Sequence, residues 1–240
     1  MKAVILAAGY GTRLLKDLEN VNEERLKDLI GTPKPLLPVG GFPLISYWME
    51  ALKADHDIHI INRLGAVSCL QLIIETFQID DSIIVIGGDT LFYEDFHLQD
   101  VFKRYEVLHK DNKQANLVLS YICKDEDTKK YGILEADESY RVRAIKEKPK
   151  AMDTASRQAC PCFYIFSKHT LPCVKEFLNE KKDAPVDEKD APGHYLSWLV
   201  ARKPVYFYSI SGRFDIGNLE SYLLCDKYFQ EKMNKLNYLQ

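Results

Sequence analysis

The stretch Ala3-Val4-Ile5-Leu6-Ala7-Ala8-Gly9-Tyr10-Gly11-Thr12-Arg13-Leu14 decides how the rest of the chain is read. Its apolar opening, Ala3 to Leu6, is the pattern of a strand buried on both faces of a parallel sheet. The run passes into small residues and closes on Arg13. Small side chains let main-chain N–H groups approach an anion, and a neighbouring cation adds charge. A strand followed by a phosphate-holding loop is therefore predicted. The loop is not a dinucleotide fingerprint, which wants a third Gly or Ala where Leu14 stands. Nor is it a Walker loop, which wants Gly-Lys-Ser/Thr.

Working outward, apolar runs at 58–61 and 83–86 predict two more strands, the second delivering Asp89 from its carboxyl end. Helical spacing predicts a helix from Pro43 with Ile45, Trp48, Met49 and Leu52 facing the core, and further helices over 66–77 and 96–108. Strand and helix in alternation predict a parallel, doubly wound sheet with ligands at the strand carboxyl ends. Residues 15–30 are charged with scattered Leu and Ile, and read as a surface loop with a helical turn. From residue 115 shorter strands are expected, at 117–122, 131–135, 142–146, 162–166 and 205–210. Helices are expected at 171–180, 195–201 and from 219 onward, with 179–192 as an exposed, mobile loop.

The 240 residues suffice for one domain with a substantial core and two lobes. A net charge of −3 gives no global attraction to nucleic acid or to an anionic membrane, so any anion site must be local. A buried strand beginning at Ala3 leaves no room for a signal peptide, and no apolar run reaches the length of a membrane span. A cytoplasmic setting is expected. The six cysteines show no zinc-like pairing, and Cys160-Pro161-Cys162 is too close for a comfortable disulfide, so reduced thiols are expected.

The opening stretch is followed, in order, by Gly31-Thr32-Pro33-Lys34-Pro35-Leu36-Leu37-Pro38-Val39, Gly87-Gly88-Asp89, Glu147-Lys148-Pro149 and Asp215-Ile216-Gly217. This ordered set resembles the sugar-1-phosphate nucleotidylyltransferases, or NDP-sugar pyrophosphorylases, over nearly the whole chain. The resemblance implies an α/β fold: a Rossmann-like, doubly wound mixed sheet in three α/β/α layers, with a small β-rich sugar-binding lobe. It implies a nucleotide-binding half (1–114), a sugar-phosphate-binding half (115–218) and a C-terminal helix (219–240), with no appended β-helix.

The implied reaction joins an NTP to a sugar 1-phosphate and releases pyrophosphate, by positioning and charge neutralisation rather than a covalent intermediate. By the resemblance, Leu6, Ala8, Gly9, Gly11 and Thr12 line the nucleotide, and Gly65, in Leu64-Gly65-Ala66, gives room for the base. Arg13 neutralises the departing phosphates. Lys34, pre-aimed by Pro33 and Pro35, reaches the α-phosphate. Asp89 and Asp215 are the carboxylates for Mg²⁺. Gly132 and Glu147 face the sugar, and Lys148 its phosphate. Association into homo-oligomers is compatible with the family.

Two departures stand out. The family usually has Asn-x-Gly, with a sugar-binding asparagine, where this chain has Cys160-Pro161-Cys162. The family also carries another helix and strand where this chain passes directly from Asn62 to Arg63. These departures keep two alternatives open: a cytidylyltransferase for a phosphorylated alcohol such as phosphocholine, and a non-catalytic, nucleotide-sugar-binding or regulatory homologue. Nucleobase and sugar are both open at this point.

Overall fold

In chain order the first half runs β1 (Lys2–Leu6), α1 (Thr12–Glu19), α2 (Glu24–Lys27), the hairpin β2 (Pro38–Val39) and β3 (Phe42–Pro43), and α3 (Leu44–Leu52). It continues through β4 (Ile58–Ile61), α4 (Ala66–Thr76), β5 (Ile83–Gly87), β6 (Thr90–Phe92) and α5 (Leu98–Asp111). The second half runs β7 (Asn116–Ile122), β8 (Gly132–Ala136), β9 (Val142–Glu147), β10 (Gln158–Cys160) and β11 (Phe163–Phe166). It closes with α6 (Pro172–Glu180), α7 (Val186–Asp190), α8 (Pro192–Val200), β12 (Val205–Ser209), β13 (Arg213–Asp215) and α9 (Leu219–Asn237). This computed structural model describes residues 1–7, 11–53, 56–61, 65–93 and 95–237.

The apolar opening is the strand it was expected to be: Ala3, Val4 and Ile5 are fully buried in β1. β1 pairs in parallel with β4 on one side and β5 on the other. The sheet continues in the order β4-β1-β5-β11-β7-β10-β8-β9, with β12 joined in parallel to β7. β11 runs antiparallel to β5, so the sheet is mixed. β13 and β6 form a separate two-stranded ribbon.

Alternation along the strands sends side chains to opposite faces. Ile5, Ile84, Ile86 and Leu117 pack with Leu14 and Leu18 of α1, Trp48 of α3 and Tyr222 of α9. Val4, Val85, Val118 and Tyr164 pack on the other face with α4, α6 and α8. The result is three layers, helix on sheet on helix.

Several local expectations are corrected. Residues 15–30 are not mainly loop; they continue α1 and contain α2, and Leu14 and Leu18, four residues apart, form its buried stripe. Met49 and Phe77 lie outside their buried stripes, 42% and 56% exposed. β6, β10 and β13, of three residues each, were not expected as strands. The acidic 179–192 segment contains α7 and docks on α4 through Asp190. As expected, none of the six cysteines forms a disulfide. The junction between Asn62 and Arg63 lies outside the described residues. On its two sides β4 lies at the edge of the sheet, and α4 leads to β5 on the far side of β1.

Candidate nucleotide and sugar-phosphate site

The site is built at the carboxyl ends of β1 and β5, where Leu6 and Gly87 are register partners. The Gly88 N–H donates to the Leu6 carbonyl at 2.8 Å. A β-carbon at Gly88 would stand 3.1 Å from that carbonyl oxygen, so glycine is what lets the chain turn here and present Asp89. Gly11 enters α1 with φ of +61°, a left-handed backbone. A β-carbon on it would lie 3.2 Å from Cγ of Lys34, so the lysine stem rests directly on the glycine. Lys34 opens a 3₁₀ turn, Lys34–Leu36, between Pro33 and the buried Pro35. Its Nζ donates to Asp89 Oδ2 at 3.4 Å. Gly11, Lys34 and Asp89 are thus brought together from three separate loops.

The β6–β13 ribbon sets Asp215 opposite Thr90, beside Asp89. A β-carbon on Gly217 would lie 4.0 Å from both Arg13 Nη2 and Asp215 Oδ1, so Arg13 from the start of α1 meets the same corner. The Asp89 and Asp215 side chains are 36% and 38% exposed, open to a ligand. No group of three or more His, Cys, Asp or Glu suited to a metal occurs among the described residues. Two accessible carboxylates, one in the β5–β6 turn and one at the end of β13, suit Mg²⁺, which takes one or two carboxylates and completes its shell with water and substrate phosphate. They do not suit a cation that needs an all-protein cage.

On the other side of this corner, pairing of β8 with β9 sets Gly132 opposite Glu147, and pairing of β10 with β8 sets Cys160 opposite Gly132. A β-carbon on Gly132 would come within 3.1 Å of Glu147 Oε2, and one on Gly193 would overlap the same carboxylate. Lys148 adopts φ of +49°, a left-handed backbone that costs a non-glycine residue about 1 kcal/mol or more. Its N–H donates to the Tyr131 carbonyl at 3.0 Å, turning the chain off the end of β9. The Lys148 ammonium is mostly exposed and 3.7 Å from Glu147, a weak ion pair that leaves it available.

Gly65 also has φ in the left-handed range, +89°. A β-carbon there would overlap the Asp190 carboxylate. Asp190 Oδ1 accepts from the Val67 and Ser68 N–H groups at 3.1 and 2.9 Å, satisfying the open end of α4. The glycine therefore makes room for a protein carboxylate, whatever else approaches it. Ala8 and Gly9 lie outside the described residues.

Arg213, Tyr121, Tyr131, Asp190 and Gly193 were not foreseen as site residues. The Arg213 side chain is 9% exposed and donates to Thr90 Oγ1 at 3.0 Å and Asp215 Oδ2 at 3.1 Å. Burial works against its charge, but Asp215 and Tyr121 hold its pKa above the ordinary guanidinium value. Burial, reinforced by nearby Asp89, pushes the Cys162 thiol up to about 12. Burial, then Cys162, raises that of Cys160. The only signal for Arg213 in the sequence is its place two residues before Asp215, on the same strand face.

A three-layer α/β fold whose glycine-backed lysine meets the Asp89 carboxylate at the strand ends, with Asp215 beside it, defines a nucleotide-handling protein of the doubly wound class. The family signature of the nucleotidyl transferases matches residues 56–232, and the chain belongs to that family. It is 28% identical over 201 residues to a provisionally named mannose-1-phosphate guanyltransferase of Sulfolobus acidocaldarius, covering 71% of this chain and 50% of that protein. It is 24% identical over 260 residues to the bifunctional protein GlmU of Methanocaldococcus jannaschii, covering 98% of this chain and 55% of that one. The chain thus spans about half the length of these curated relatives. The solved structure of UDP-glucose pyrophosphorylase complexed with UDP-glucose superposes with a TM-score of 0.71 at 20% identity, over 96% of this chain and 98% of that one. The apo form of UDP-glucose pyrophosphorylase gives 0.73, also at 20% identity, over 97% and 99%. At such identity the likeness establishes the fold.

Proposed function

We propose that this protein transfers a nucleotidyl group from an NTP to a sugar 1-phosphate, forming an NDP-sugar and releasing pyrophosphate, with Mg²⁺ as cofactor. The observation that carries the proposal is the meeting of Lys34, Asp89, Asp215 and Arg13 at one corner, facing the Gly132–Glu147–Lys148 row. The names of the relatives, which specify guanylyl and uridylyl transfer, support it.

In this reading the acceptor phosphate oxygen attacks the α-phosphorus of the NTP, and the bond from that phosphorus to the bridging oxygen breaks as pyrophosphate leaves. Gly11, Thr12 and the N-terminal end of α1 offer main-chain N–H groups to the triphosphate. Lys34 stabilises charge growing on the α-phosphate, and Arg13 the charge on the departing pyrophosphate. Mg²⁺ held by Asp89 and Asp215 would neutralise phosphate oxygens. Glu147 accepts from sugar hydroxyls, Gly132 lets the sugar lie close to the strand, and Lys148 holds the acceptor phosphate. A cytosolic setting is part of the proposal, in keeping with cysteines that form no disulfide.

The test is pyrophosphate release from a panel of NTPs and sugar 1-phosphates with Mg²⁺, phosphocholine included. Release that requires a particular NTP and sugar 1-phosphate is expected. Release with no pair, while NTP still raises the melting temperature, overturns the proposal in favour of a binding homologue.

A further inference from the structure

Arg213 reaches from the metal-facing corner to the acceptor row. Its Cζ lies 5.1 Å from the centre of the Tyr131 ring and 6.0 Å from that of Tyr121. The two rings are 6.0 Å apart and inclined at 65°. Two tyrosine faces at such an angle are the walls of a cage for an organic cation, because each ring presents its negative face inward. Here the protein's own guanidinium fills the cage. Hydrogen bonds keep it there: Nη1 to Thr90, Nη2 to Asp215, and Nε to the Tyr121 hydroxyl at 3.4 Å.

A guanidinium has five N–H donors. Three are matched by those bonds, and two have no partner among the described residues. Buried donors call for acceptors, and Tyr131, on which the guanidinium lies, immediately precedes Gly132 of the acceptor row. This is also where Cys160 and Cys162 replace the Asn-x-Gly by which the family is expected to donate to the sugar. A thiol is a poor substitute for that amide.

We propose that Arg213 is the acceptor-selecting residue of this site: it donates to the hydroxyls of a sugar phosphate and, by filling the Tyr121–Tyr131 pair, shuts out quaternary-ammonium phosphates such as phosphocholine. The inference rests on the function proposed above and names its acceptor class. A trimethylammonium group has no lone pair to accept from Arg213, meets a like charge, and finds both ring faces taken.

The experiment compares wild type, Arg213→Met and Arg213→Lys in two ways. Steady-state kinetics at saturating NTP give acceptor KM, NTP KM and kcat. Calorimetric titration of glucose 1-phosphate, mannose 1-phosphate and phosphocholine gives binding without turnover. Arg213→Met is expected to raise acceptor KM or Kd about tenfold or more, the loss of hydrogen bonds from a charged donor, with NTP KM unchanged. It is also expected to admit phosphocholine, which wild type does not bind. Arg213→Lys, which keeps the charge but loses the flat fork, should move sugar-phosphate affinity in the same direction, and it serves if the methionine variant does not fold. Unchanged discrimination between sugar phosphate and phosphocholine, with only the Mg²⁺ requirement altered, would reduce Arg213 to a prop for Asp215 and overturn the proposal. Phosphocholine binding by wild type as tight as sugar phosphate would also overturn it. Should wild type release no pyrophosphate with any pair, the proposed function falls, and calorimetry alone still judges Arg213.

Discussion

Lys34 owes its position to neighbours that carry no charge: a glycine under its stem and a proline on either side. Its side chain is 13% exposed, so its ammonium is largely shielded from bulk water before any substrate arrives. Lys34→Ala should therefore lower kcat by about 10²–10³, as for loss of one preorganised donor, with melting temperature little changed; pyrophosphate release measures the first and calorimetry the second. Unchanged turnover would sink the role. A different residue tests the opposite face of the sheet. The Tyr195 hydroxyl is buried with no hydrogen-bond partner among the described residues. Because a lone buried hydroxyl is a penalty, Tyr195→Phe should raise stability by about 1 kcal/mol in denaturant unfolding. At this scale the sequence singled out Lys34, Asp89 and Asp215 through local motifs, and the fold brings these residues to one corner. It was silent on Arg213, because a guanidinium two residues before a carboxylate reads as an ordinary strand ion pair until Tyr121 and Tyr131 are brought to it by other strands.

Among the elements, α4 depends on a partner that no local rule could find. Capping rules look within about four residues of a helix start, whereas Asp190 comes from α7. Asp190→Ala should cost about 1 kcal/mol of stability, the usual cost of losing an N-cap, and Asp190→Asn much less; unfolding curves of the pair distinguish a cap from a bystander. The turn between β8 and β9 gives a pH-dependent counterpart. Asp137 accepts from Ser139 Oγ and from the Ser139 and Arg141 N–H groups, and pairs with Arg143. The Ser139 hydroxyl, aided by Arg143 and the two N–H groups against some burial, holds its pKa at about 2. A folded pKa below the unfolded one means stabilisation above the ordinary aspartate range, lost as pH falls through about 2. The melting-temperature gap between wild type and Asp137→Ala should be present at neutral pH and close across that acid window. A gap independent of pH would assign Asp137 a purely steric role. Strands such as β6 and β13, three residues each, were illegible because alternation needs more positions to show a period.

For the whole molecule, the legible part was the architecture: buried runs in β1 and β5, helices between them, and a change to short strands after α5. The insertion of β11 between β5 and β7 was not legible, since it depends on pairing across some eighty residues. Ile84 stands at the junction, fully buried and paired with both Ala3 and Ile165. Ile84→Ala should cost about 2–5 kcal/mol, read as a lower denaturant midpoint with unchanged slope.

The pairing of β13 with β6 bears on synthesis as well as on chemistry. A chain emerging from the ribosome has Lys34 and Asp89 long before it has Arg213 and Asp215. Until that late strand closes the ribbon, the corner lacks one of its two carboxylates, Asp215, and the Arg213 that holds it. Pairing of β13 with β6 therefore completes the carboxylate pair only after the strands of the main sheet have all been made.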